Sequence, residues 1–166
     1  AQLSISPVVV RTEVYPGGSK RFSIGLASSG KEPLTCEMSV ASMRVGAGGL
    51  PMEVEDAERS CRDWITLEPT TFTLLPEEGR RIEGRIQVPT GAEGGFYAIV
   101  SCLATPQDSA GPRTREGSGA TLRLRYKSIA VVLLTVAGGH LEARIEAAEP
   151  EIAPDERGRG YVVQLP

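Results

Sequence analysis

The stretch Thr121–Val136, TLRLRYKSIAVVLLTV, limits what this chain can fold into more than any other. Leu122, Leu124 and Tyr126 alternate with Arg123, Arg125 and Lys127, the period of a β-strand with one face in a core and one in water. From Ile129 the pattern changes. The face that carried Arg, Arg and Lys now carries Ile129, Val131 and Leu133, while Ala130, Val132, Leu134 and Val136 continue the inner face. The strand therefore needs a second cover on its outer side along its latter half. Three covers are open: an adjoining domain, a second copy of the chain, or a strand exchanged with a client protein. Ile129, Val131 and Leu133, bordered by Arg123, Arg125 and Lys127, form the candidate interaction edge.

The remaining chain reads as short strands punctuated by turns. Segment 3–15 is a strand pair broken by Pro7, which cannot donate to a central ladder and so marks an edge strand or one that switches sheets. Phe22, Ile24 and Leu26 alternate with polar residues over 19–28. Leu34, Cys36, Met38 and Val40 do the same over 34–45. Short strands are expected near 50–54, 64–67, 72–75 and 80–88, with one helical turn over 55–60. Segment 95–104, GFYAIVSCLA, is apolar on both faces and belongs in the middle of a sheet. Residues 105–119 have turn composition throughout and read as a surface loop. Many short strands and no amphipathic helix indicate an all-β, antiparallel β-sandwich over residues 1–138. Gly138-Gly139 marks a boundary, and 139–166 reads as the start of a second β domain or a C-terminal extension.

Charge and motif content narrow the function classes. A net charge of -3 argues against a nucleic-acid partner. No run of about twenty apolar residues is present to cross a membrane as a helix. The sequence has no Asn, so turns must draw on Gly, Pro, Asp and Ser. His140 is the single histidine, and no nucleophile elbow accompanies it. Glu77-Glu78 and Glu53-Glu55-Asp56 lie on turns without the spacing of a calcium loop. Gly46–Gly49 and Gly94-Gly95 precede no helix that would cradle a phosphate. No catalytic residue, metal site or cofactor is expected. Trp64 and Tyr97 are candidates for a sugar-stacking platform, though in a sandwich such residues more often serve the core.

Cys36, Cys61 and Cys102 have no paired CxxC spacing, which disfavours zinc. In the usual sandwich layout all three lie near one pole. The expected disulfide is Cys36–Cys61, because Cys61 sits in an adaptable loop; Cys61–Cys102, Cys36–Cys102 and three reduced core thiols remain open. A start at Ala1 without Met, entering a strand almost at once, fits an exported chain after signal cleavage.

The block Trp64-Ile65-Thr66-Leu67-Glu68-Pro69-Thr70-Thr71-Phe72-Thr73-Leu74-Leu75-Pro76 carries a resemblance, as does Ile82–Val88-Pro89 followed by Gly94-Gly95-Phe96-Tyr97-Ala98. So does the closing Leu134-Thr135-Val136-Ala137-Gly138. These residues resemble bacterial envelope domains with an immunoglobulin-like, PapD-like sandwich, including periplasmic pilus chaperones and N-terminal domains of larger cell-surface proteins. The resemblance covers about residues 3–138. It implies a periplasmic or extracellular location. Pilus chaperones hold a client's C-terminal carboxylate with an Arg on the first strand and a Lys on the last. Arg11 and Lys127 are the nearest candidates, although alignment on Tyr15-Pro16-Gly17 places Thr12 in the anchor position. The sequence thus predicts a non-enzymatic, exported interaction module whose partner is a protein or an adjoining domain, a second copy of the chain included. A chaperone that binds clients by strand complementation and a carbohydrate-binding module are the alternatives.

Overall fold

The computed structural model describes residues 3–107 and 124–138, together with the backbone of 151–154 and 161–164. His140 and Arg123 lie outside the described residues, as does most of the loop expected over 105–119.

Two sheets face each other. The first has the order β1 (Leu3–Ser6), β3 (Ser19–Ser28), β8 (Gly79–Gln87) and β6 (Ile65–Glu68), all antiparallel. The second has the order β2 (Val9–Val14), β10 (Tyr126–Val136), β9 (Gly94–Pro106), β4 (Leu34–Val45) and β5 (Pro51–Val54). A further short strand, β7 (Thr71–Leu74), pairs with the start of β4. As the doubly apolar sequence predicts, β9 is central, with β10 on one side and β4 on the other. A separate hairpin, β11 (Glu151–Pro154) with β12 (Tyr161–Gln164), follows the sandwich in sequence.

Two extended runs, β1–β2 and β6–β7, are each divided between the sheets at a proline. Pro7 separates β1 from β2, and Pro69 separates β6 from β7; both X–Pro bonds are cis. A residue without an N–H suits a point where one ladder ends before the next begins. The switch at Pro7 has a further consequence. After it, β2 runs parallel to β10, from Val9 opposite Val131 to Val14 opposite Val136.

Alternation builds the core. Ile24 and Leu26 of β3 and Ile82 and Ile86 of β8 face Leu34 of β4, Val100 of β9, and Val132 and Leu134 of β10. All are buried. Arg80 closes one margin of this layer by placing its guanidinium 4.8 Å from the Phe72 ring centroid. At the turn after Leu75, Glu77 takes a left-handed φ of 58°, in a position where the missing Asn would be favoured. Glu78 stabilises that turn by accepting the Leu75 N–H at 2.7 Å. The helical turn expected over 55–60 falls later, as a 3-10 turn at Arg62–Trp64.

The expected Cys36–Cys61 disulfide is absent: all three cysteines are free thiols. The reason is placement. Cys36 lies opposite Ala104 on β9, whereas the Cys61 N–H donates to the carbonyl of Tyr97 on the same strand. Seven residues separate those levels, about 23 Å at strand rise. Disulfide formation needs Cα atoms within about 7 Å. The three cysteines therefore do not share one pole. Cys36 and Cys102 do lie close, as diagonal neighbours on the inner face, and the Cys36 thiol donates to the Leu34 carbonyl at 3.9 Å. Burial pushes all three thiols up, Cys61 and Cys102 to about 12.

Candidate functional site

β10 carries most of the residues singled out in the sequence. Its inner face, Ala130, Val132, Leu134 and Val136, is buried in the core. Its outer face begins with exposed Lys127 and continues through half-buried Ile129, Val131 and Leu133 to exposed Thr135. Arg125 is exposed and precedes the strand. The structure thus places the change of pattern at Ile129 where the sequence puts it.

The strand's two ends differ in their backbone partners. Val131 N–H donates to the Val8 carbonyl at 2.9 Å, and Ala137 N–H to the Val14 carbonyl at 3.0 Å. Backbone groups point to alternate sides along a strand, so Lys127 and Ile129 direct their N–H and C=O the same way. The β2 register begins only at Val131. Among the described residues, no backbone partner closes that edge at Lys127 and Ile129. The neighbouring β1 has turned away to pair with β3. Its one hydrogen bond to this stretch is from the Ser128 hydroxyl to the Leu3 carbonyl, at 3.2 Å. The free edge is therefore a product of the switch at Pro7.

On the outer face, registers align Val9, Val131, Ile99 and Ala41 in one apolar row across four strands. The adjacent row is Arg11, Leu133 and Tyr97. The one on the other side is Ile129, Ser101 and Ser39, whose two serine hydroxyls hydrogen-bond at 2.9 Å. Ile99 is completely buried yet stands apart from the main core cluster. A second, thinner apolar layer thus exists on this face, as the doubly apolar sequence of β9 predicts.

Lys127 has a specific partner. Its Nζ lies 2.5 Å from Oε2 of Glu53 on β5. This contact bears on the anchor pair that the resemblance implied. Lys127 and Arg11 share the outer face, but Arg11 stands opposite Leu133, six residues along β10 from Lys127. That separation is about 20 Å, too far for both to hold one carboxylate. Thr12 points the other way, with its hydroxyl buried and without a hydrogen-bond partner.

Trp64 and Tyr97 do not form one platform. Trp64 packs on Phe96 of the inner face, with ring centroids 4.5 Å apart, and Arg59 stacks on the same Phe96 ring at 5.4 Å. Tyr97 faces outward. The carboxylates considered for chemistry serve local structure: Glu78 holds its turn, Asp56 accepts the Ala57 N–H, and Glu53 pairs with Lys127.

No family model and no curated protein matches the chain. Solved structures do. The PapD-like domain 7 of human CEP192 superposes with a TM-score of 0.55 at 12% identity, covering 86% of this chain and 87% of that domain. The Salmonella enterica SafA pilin–SafB chaperone complex matches with a TM-score of 0.54 at 14% identity, covering 82% of this chain and 55% of that one. The class 5 fimbriae chaperone CfaA matches at 0.53 and 12% identity, over 98% of this chain and 66% of that one. The chain thus spans between about half and two thirds of the length of these chaperones. With two facing β-sheets, a first strand divided between them, and these superpositions, the chain has the PapD-like, immunoglobulin-like β-sandwich fold.

Proposed function

We propose that this chain is a protein-binding module of the bacterial envelope that captures a partner by strand addition along the free edge of β10. The observation that carries this reading is the backbone at Lys127 and Ile129, which has no partner among the described residues and is bordered by the half-buried apolar face of Ile129, Val131 and Leu133. An added strand gains main-chain hydrogen bonds from the edge and side-chain selectivity from the face. The reading is a binding one, without catalysis or cofactor. The structural matches to a periplasmic chaperone and to a chaperone in complex with a pilin support a protein partner and an envelope location. The partner is an internal extended segment, because Arg11 and Lys127 stand too far apart to clamp a chain terminus. Residues 139–166 are proposed as the opening of a second β domain, which the match to CfaA over 98% of the chain supports.

The test uses peptides selected from a displayed library against the chain. Strand addition predicts extended binders with alternating apolar residues that slow amide exchange at Lys127 and Ile129. Ile129→Pro should abolish their binding while keeping the fold, since the Ile129 N–H is not part of the β9 ladder. Binders that protect other amides and tolerate Ile129→Pro would reject the proposal. A second reading, an adjoining domain or second copy seated on the outer face, draws on the apolar row Val9–Val131–Ile99–Ala41. It predicts that Val131→Glu separates an assembly seen by light scattering. An unchanged molar mass counts against it.

A further inference from the structure

We infer that the β4–β5 hairpin is a cis lid over the outer face of β10, latched by the Lys127–Glu53 ion pair, and that it gates the partner site. The inference rests on the strand-addition reading of that site. Three observations combine. First, β4 leaves the β9 ladder at Ala41, opposite Ile99, and Ser60 takes its place beside Tyr97. Second, β5 pairs only with the departed end of β4, from Ser42 to Val45. Were that end to continue in the plane of the sheet, Glu53, opposite Met43, would stand six residues along β4 from Glu37. Glu37 lies level with Leu103 and Lys127. That is about 20 Å along the strands, with β9 and β4 also intervening. The 2.5 Å contact is reached only if the hairpin folds over the outer face of β9. Third, Ile99 on that face is completely buried although the sheet provides only lateral neighbours. A hairpin drawn across that face by the ion pair accounts for this cover.

The same hairpin is built to move. Its tip is Gly46-Ala47-Gly48-Gly49, and Val45, Leu50 and Met52 are exposed and lose no packing when it swings, so that opening gives up only the half-buried Met43 and Val54 and the cover over Ile99. The hinge falls where the β9 ladder stops, and two contacts hold its base, the hydroxyl pair of Ser42 and Ser60 at 2.8 Å and the Arg62 guanidinium donating to the Glu55 carbonyl at 2.7 Å. The latch is half in solvent, with side chains 48% and 30% exposed. An ion pair so placed shifts an opening equilibrium by roughly 1.5- to fivefold and is weakened by salt. An approaching strand thus meets a closed outer face, and lid opening supplies the apolar surface it needs.

Hydrogen exchange on the full chain decides the matter, with wild type, Glu53→Gln, Lys127→Gln and the charge swap Glu53→Lys/Lys127→Glu at low and high salt. At low salt each single neutral variant should speed exchange over 42–54 by roughly 1.5- to fivefold. High salt should do the same to wild type and little to the variants, while the swap restores slow exchange. Exchange over β3 and β8 should stay unchanged throughout. Glu53→Gln should also bind the selected strand peptide more tightly by the same factor. Unchanged hairpin exchange in both single variants overturns the lid. Faster hairpin exchange with unaltered peptide affinity overturns its gating role. Absence of peptide binding in every variant counts against strand addition itself and leaves the exchange result to judge the lid.

Discussion

Replacing Gly84 with alanine should destabilise the sandwich through one clash. Gly84 lies on the inner face of β8 directly opposite Phe22 of β3. A Cβ there would sit 2.2, 2.4 and 2.6 Å from three atoms of the Phe22 ring. Carbon–carbon contacts are favourable only near 3.5–4.0 Å, so the ring must leave. Phe22 is partly buried against the core. Full burial of such a side chain contributes about 1.5–3 kcal/mol, and displacing a partly buried ring forfeits about half of that, about 1 kcal/mol. Residual overpacking adds about 1–3 kcal/mol. Loss of glycine's freedom in the unfolded chain returns about 0.5–1 kcal/mol. The net is a loss of about 1–3 kcal/mol. Urea unfolding followed by Trp64 fluorescence should show a lower midpoint at unchanged slope. The decisive comparison adds Phe22→Ala: with the ring gone, Gly84→Ala should cost little, giving a coupling energy of about 1 kcal/mol or more. A Gly84→Ala protein within about 0.5 kcal/mol of wild type would refute the reasoning, because that is the range of surface substitutions without such a clash.

The thiols yield two predictions. Native protein should resist alkylation at Cys36, Cys61 and Cys102 until it unfolds, with an intact mass unaffected by prior reduction; rapid native labelling would contradict their burial. Because burial raises these pKa values above 9, to about 12 for Cys61 and Cys102, the unfolded chain loses its thiol protons first as pH rises. The stabilising contribution of Cys61 and Cys102 is complete below pH 9 and is lost between 9 and 12, with a slope up to about 1.4 kcal/mol per pH unit per thiol. Unfolding midpoints across that range should fall less steeply in Cys61→Ala. Thr12→Val should raise stability by about 1 kcal/mol, since it removes a buried hydroxyl without a partner at nearly constant shape; a lower urea midpoint would mean the hydroxyl is satisfied in solution.

Much of this fold is legible locally. Period-2 alternation in β3, β8 and β10 sorts core from solvent because a strand's side chains must point to opposite faces, whatever the strand packs against. The doubly apolar run of β9 marks its central place for the same reason, and Pro7 marks the sheet switch because it lacks an N–H. The apolar outer face of β10 is equally plain in the residues from Ile129 to Leu133. What local pattern cannot hold is distance between segments. Cys36 and Cys61 seem equally able to meet until registers on β9 place them about 23 Å apart. Arg11 and Lys127 resemble an anchor pair until the same kind of register separates them. The hairpin inferred to cover Ile99 leaves its ladder after Ala41, and nothing in the alternation of β4 announces that departure. Which faces are apolar can be read along the chain, since that depends on neighbours two residues apart. What lies over those faces and which edge stays open follow from the folded arrangement alone, because both depend on pairing between strands far apart in sequence, as Val9 and Val131 are.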